Sequence, residues 1–265
     1  MSQALQQIES PTQKAAFIKV YQAVHKVSET DAQNYFEVEL FAFKAAFEQT
    51  PALQKCTPLS IASTFLEVIS NGLSFDKSAK HVYIMPRSVK VGDQFETRLS
   101  YSYAADGLIY LATAAGSITG CSTPVIVYEG DHIEVKDVNG QCQISHARAI
   151  PRISGKIVGG FCHVITKGGR ESFYMDIKEV ERLAGYSAKA NRGAANALYT
   201  SDNGQIDAGF FSTKIVKAAL KNYRKKRTLN DNYFDDELIE DQTDLPFVEA
   251  EPSQPIESTS ETLAF

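Results

Sequence analysis

Basic and aromatic residues interleave over residues 81–103. The run His81-Val82-Tyr83-Ile84-Met85-Pro86-Arg87 leads to Lys90, and Arg98, Tyr101 and Tyr103 follow. Cationic side chains neutralise phosphates and release counterions, and an aromatic face stacks on any base. Tyr83, Arg87, Lys90, Arg98 and Tyr103 are therefore candidate contacts to a polyanion carrying bases. Strand alternation puts Arg98 on the face opposite Tyr101 and Tyr103, and core packing is the competing role for the tyrosines. Lys214, Lys217 and Lys221 recur at i, i+3 and i+7, one helix face about 10 Å long. Arg224 opens four consecutive basic residues. Lys189 and Arg192 form a third group, in a Gly- and Ala-rich stretch able to close over a bound strand.

Catalytic signatures are sparse. The chain has no GxxxxGK[ST] loop for nucleotide phosphates, no HExxH and no GxSxG. Asp131 followed by Glu134-Val135-Lys136 is nuclease-like, since a carboxylate and an E-x-K can hold a divalent metal and position water. The competing reading is a hairpin strand with Ile133 and Val135 facing in and Glu134 and Lys136 facing out. His163, in a strand-like run, reads as a packed histidine. Cys56, Cys121, Cys142 and Cys162 are widely spaced without a CxxC pair, which suits reduced thiols rather than a zinc site.

The net charge of −5 conceals an asymmetry. Residues 229–265 hold 11 acidic residues and no Lys or Arg. Residues 77–228 hold 22 basic and 13 acidic residues, a net of +9. A basic body with an acidic tail suits a polyanion partner and a tail that competes with it. The opening residues show no secretory signal, and no apolar run is long enough for a membrane helix, so a cytoplasmic protein is expected.

These residues need elements to position them. Residues 11–49 read as helical, with Phe36, Leu40, Phe43 and Phe47 on one stripe. A second helix starts at Thr57-Pro58 and ends at Asn71-Gly72. Residues 81–85 and 95–103 read as strands around a turn at 90–93, and 104–115 as a helix closed by Gly116. Strand signals dominate 118–177, with hairpin turns at Asn139-Gly140 and at 167–170. Asp176 caps a helix that ends at Gly185. Residues 186–206 read as a mobile loop, 208–226 as a long basic helix, and 229–265 as a disordered acidic tail. The fold class is α+β: a helical N-terminal arm (1–50), a core with a central antiparallel sheet packed with helices (51–228), and the tail.

Several segments carry a joint pattern: Leu53-Gln54-Lys55-Cys56-Thr57-Pro58-Leu59-Ser60, the Asn71-Gly72-Leu73 turn and His81 to Pro86. Gly107 to Ala112 with Gly116, Val127-Tyr128-Glu129-Gly130-Asp131, the strand pair over 159–178 and the basic helix over 214–223 continue it. In this order and spacing they resemble the RecT family of phage and prophage single-strand annealing proteins, over about residues 50–226. Two places depart: Ala104-Ala105-Asp106-Gly107 stands where many relatives carry G-Y-R-G, and Ala208-Gly209-Phe210-Phe211 where Trp and Glu-Met are common.

The resemblance implies pairing of complementary single strands without ATP, on rings or filaments of the protein. It implies single-stranded DNA and annealed duplex as ligands, with a phage exonuclease and the host single-stranded-DNA-binding protein as further contacts. No cofactor is expected beyond a non-specific magnesium effect on annealing, and no catalytic residue. The phenylalanine stripe of the arm is a candidate subunit contact, with core packing as its competing role. The alternatives are a passive single-strand binder and a metal-dependent nuclease. Asp244-Leu245-Pro246-Phe247 in the tail is similar to the acidic tip of bacterial single-stranded-DNA-binding proteins, but lies inside the chain.

Overall fold

The computed structural model describes residues 3–190 and 193–225. Arg192, the end of the basic run and the acidic tail lie outside the described residues. Helices α1 (Gln3–Ile8), α2 (Pro11–His25), α3 (Glu29–Glu48) and α4 (Pro58–Ser70) come first. The expected helical span over 11–49 is helical but divided into α2 and α3. Lys26 takes a left-handed φ of 55° at the end of α2, and the Ser28 hydroxyl restarts the chain by accepting from the Asp31 N–H at 3.1 Å. The Ser-Glu-Thr-Asp sequence at that break is a capping signal of the S-x-x-D kind.

Phe36, Leu40, Phe43 and Phe47 are buried together, so the stripe serves the core. The Phe43 and Phe65 rings lie 5.2 Å apart, which locks α3 onto α4. The arm thus shares one apolar core with α4 and with the hairpin of β1 (Val82–Val91) and β2 (Gln94–Tyr103). The two strands run further than their apolar content suggested, because Gly92, at φ +61°, closes a two-residue turn. Helix α4 lies along the outer edge of β2. The Thr57 N–H donates to the Thr97 carbonyl at 2.9 Å, the Leu99 N–H donates to Ser60 Oγ at 2.9 Å, and Thr64 Oγ1 donates to the Leu99 carbonyl at 3.1 Å. Those groups cap an edge that would otherwise be open to pairing.

Helix α5 (Ala105–Ala114) follows and ends at Gly116 as expected. Gly107 is required there: a Cβ would stand 2.1 Å from the His81 carbonyl oxygen. The remaining strands are β3 (Gly120–Cys121), β4 (Val125–Tyr128), β5 (His132–Val138), β6 (Gln141–Ala147), β7 (Ile157–Thr166) and β8 (Gly169–Asp176). All described pairings are antiparallel, but the strands divide into three sheets rather than one. Strand β7 is central to the largest, paired with β8, β4 and β3. The β5–β6 hairpin turns at Asn139 and Gly140, both at positive φ, as their sequence demands.

Helix α6 (Ile177–Ala190) starts where Asp176 accepts from the Lys178 N–H at 2.8 Å. It passes through Gly185 instead of ending there. Buried Ser187 continues its inner face and accepts from the Asn196 N–H, and this packing outweighs the roughly 1 kcal/mol helix cost of one glycine. The stretch read as a mobile loop therefore begins as helix. Its second half inserts Tyr199 and Ile206 into the core. Helix α7 (Ala208–Ala219) is shorter than the expected 208–226. Its end is fixed by a turn in which Ser117 Oγ donates to the Arg224 carbonyl at 2.6 Å and the Tyr223 hydroxyl donates to Glu171. Helices α5, α6 and α7 enclose a second core with β7 and β8, and Tyr103 touches both cores. No described helix is long and apolar enough to cross a membrane.

Glu39 is the main polar group buried in the first core, accepting from the Phe75 N–H at 2.7 Å. Burial pushes its carboxyl above the usual range. The folded state thus favours the proton, and stability falls as pH rises from about 4.3, the ordinary glutamate value, through the raised one. Urea titrations of Glu39→Gln should lack that fall and show no loss of stability at neutral pH. Phe43→Ala should cost about 3–5 kcal/mol at any pH in the same titrations.

Candidate nucleic-acid interface

The pairing register sorts the residues of the β1–β2 hairpin. Val82, Ile84, Leu99, Tyr101 and Tyr103 face the first core, and Tyr83, Met85, Arg87 and Arg98 lie on the other side. Arg87 stands directly opposite Arg98. Like charges directly opposed on neighbouring strands repel, and an anion placed over them relieves the repulsion. Tyr83 is 55 % exposed two pairs further along that face. With α4 as one wall, the outer face forms a groove of about 760 Å³, lined by Leu59, Ser63, Glu67, Arg87, Arg98 and Ser100 among others. Arg98 also holds Glu96 at 3.1 Å. Arg87 is half-buried, and that burial lowers its pKa from the usual arginine value. Such a guanidinium has given up part of its water, and a phosphate oxygen would replace it.

Two expected members of this cluster are elsewhere. Lys90 pairs with Phe95 near the hairpin tip and lies on the opposite face from Arg87. Tyr103 belongs to the core: its hydroxyl is 3.2 Å from that of Tyr101, which donates to Glu67 at 2.9 Å. Burial pushes the Tyr101 hydroxyl far above the usual phenol range.

The C-terminal cations also divide. Lys214 is only 8 % exposed, with its ammonium 4.8 Å from the Phe210 ring centroid and 5.6 Å from that of Tyr199. It is a packed cation, not part of an open face. Lys217 is half-buried on α7, and Lys221 and Arg224 are exposed in the turn beyond the helix. Lys189 is exposed in the last turn of α6, 5.7 Å over the Tyr186 ring. Helix α7 packs on the β7 sheet, whereas the arginine pair sits over the first core, so the two basic groups belong to different cores.

The family model for the RecT family matches residues 41–247 of this chain. The chain belongs to the RecT family. No curated protein matches it. The RecT match takes in the whole groove, α5 with its obligatory glycine and α7.

Within this RecT chain the carboxylates of the nuclease-like fragment are engaged by neighbouring groups. The buried Asp131 carboxylate accepts from the Tyr128 N–H at 3.1 Å and the Ala149 N–H at 2.9 Å, and lies 3.3 Å from His146 Nε2. Burial alone would raise its pKa, but those hydrogen bonds hold it below the usual carboxylate value. Glu134 pairs with Lys136 at 2.7 Å. Val135 is exposed, so the expected inward face of that strand is only partly formed. Among the described residues no three His, Cys, Asp or Glu side chains gather to hold a metal ion. His163 is a packed histidine, with Nδ1 3.0 Å from Ser172 Oγ. The four cysteines are free thiols.

Sequence reasoning missed two features. One is the α4 wall of the groove, signalled only by hydroxyls at Thr57, Ser60, Ser63 and Thr64. The other is the basic loop over residues 148–156, where the Arg152 guanidinium lies 3.5 Å over the Tyr128 ring. The division among the lysines is measurable. Lys214→Ala should lower stability by about 1–3 kcal/mol and leave the salt dependence of DNA binding unchanged. Lys217→Ala/Lys221→Ala should do the reverse, and equal effects from both would remove the distinction.

Proposed function

We propose that this RecT-family chain binds single-stranded DNA and anneals complementary strands without ATP, working as an oligomer on the DNA. The observation that carries this is the opposed pair Arg87 and Arg98 in an open groove, with Tyr83 exposed on the same face. Family membership supports it independently. The arginines grip backbone phosphates, and Tyr83 offers a face to one base without reading its edge. A strand held by its backbone keeps its pairing edges available. A second strand samples them, and matched segments persist because stacking and pairing outweigh the repulsion of the two backbones. Absence of a P-loop motif from the sequence supports nucleotide independence. Magnesium would act only by screening phosphates. An exonuclease that exposes single strands and the host single-stranded-DNA-binding protein are the partners this role calls for.

One groove with two arginines is a weak site. Adjacent copies along one strand raise the effective concentration of each successive contact, which is the physical reason for an oligomer. The test is Arg87→Ala/Arg98→Ala in binding and annealing assays. The slope of log affinity against log salt should fall by about 1.4, since each contact to a single strand contributes about 0.7. Annealing of complementary oligonucleotides should slow at least tenfold. Wild-type protein that binds but does not speed annealing is a passive binder, and an unchanged slope in the variant moves the site off this groove.

A further inference from the structure

Residues 148–156 form a loop that is tightly held yet shows its apolar side chains to solvent. Its backbone is fixed by Asp131 at the Ala149 N–H, and by Gln205, which donates to the Gly155 carbonyl at 2.8 Å. Lys156 reaches Glu129 at 3.3 Å, and Arg152 stacks on Tyr128. Ile153 covers Gly130, where a Cβ would stand 2.8 Å from its Cδ1. Despite these ties, Ile150 is 87 % exposed and Ile153 78 % exposed. Arg148 and Arg152 are exposed on either side of Ile150, and Ile153 follows Arg152 directly. A loop already fixed in shape gives up little entropy on binding, and exposed isoleucines alternating with arginines suit a ligand that is both acidic and apolar.

We propose that this loop is the docking site for the chain's own acidic tail, with Leu245 and Phe247 on the two isoleucines and the flanking carboxylates towards Arg148 and Arg152. The tail has 11 acidic residues and no basic one, and Asp244-Leu245-Pro246-Phe247 is a compact apolar segment within it. The chain reaches. Tyr223 is tied to Glu171, which pairs with Val164, and the loop enters the sheet at Ile157. Seven strand residues separate those points, about 23 Å. The 19 residues from Lys225 to Asp244 can span about 60 Å. Other exposed apolar sites fit less well: Phe41 and Val38 have Glu37 beside them, and Phe95 has Asp93 and Glu96. Nucleic acid would favour an aromatic platform over isoleucine. The proposal does not rest on annealing activity.

Hydrogen exchange read by mass spectrometry on the full chain tests it. In wild type, amides over 241–250 should exchange five- to tenfold more slowly than an unstructured peptide, and tenfold dilution should not change this. Ile150→Glu and Leu245→Ala/Phe247→Ala should each restore the unstructured rate, with the β7–β8 amides unaltered as the check on folding. A wild-type tail that exchanges freely overturns the proposal, as does protection that survives Ile150→Glu. Protection lost on dilution assigns the tail to a neighbouring copy and overturns same-chain docking. Protection of 148–156 by an added oligonucleotide, with the free tail unprotected, makes the loop a DNA contact instead.

Discussion

The seam between α4 and the outer edge of β2 holds the Arg87–Arg98 groove in place. A strand edge carries backbone groups that must find partners, and here Ser60 and Thr64 supply them through side chains while Thr57 does so through its backbone N–H. The same helix turns Ile61, Phe65, Val68 and Ile69 inward onto the phenylalanines of α3. One element therefore closes the sheet edge, fills the core and raises a wall beside the arginine pair. Each of those roles fixes the rotation of α4 about its axis. With two of its faces committed, the third, carrying Leu59, Ser63 and Glu67, has no freedom in where it points.

Cations in this protein fall into physically different classes, and net charge does not distinguish them. Lys214 has its ammonium between aromatic rings and serves packing. Arg87 is half-desolvated on an open face, opposite another arginine. Lys221 and Arg224 are exposed in a turn. A phosphate gains most from the second class, because the water shell is already partly removed and the repulsion of the pair is relieved on binding. Exposed lysines contribute mainly long-range attraction that salt screens within about 8–10 Å.

Much of this was legible in the sequence. Periodicity located α4 and the phenylalanine stripe, and Asn139-Gly140 announced its hairpin. Alternation alone separated Arg98 from Tyr101 and Tyr103. What could not be read was register. Nothing in the sequence says that Arg87 meets Arg98, since a one-residue shift in pairing would turn Arg87 to the core face and set a different residue opposite it. Helix ends misled for a related reason. Gly185 breaks helices by local propensity, but tertiary packing of Ser187 carries α6 past it. Helical spacing places Lys214 on an open face, and only the insertion of Tyr199 from a loop-like segment shows why it is covered. The 148–156 loop leaves no trace in the sequence, because exposed isoleucine in an irregular segment has no periodic signature.

The arrangement bears on how an acidic tail and a basic groove can belong to one chain. If the tail were unattached, its carboxylates would sample every basic surface within reach, the Arg87–Arg98 groove among them, and would compete with phosphate at millimolar effective concentration. A docking loop built on the far core draws the tail's apolar residues, which DNA cannot replace, to a place away from the arginines. Affinity for the loop then rests on isoleucine contacts that salt does not weaken, while competition at the groove rests on charge that it does. A tail held this way contributes charge for solubility and leaves the Arg87–Arg98 groove open. Detachment would be the event that closes it.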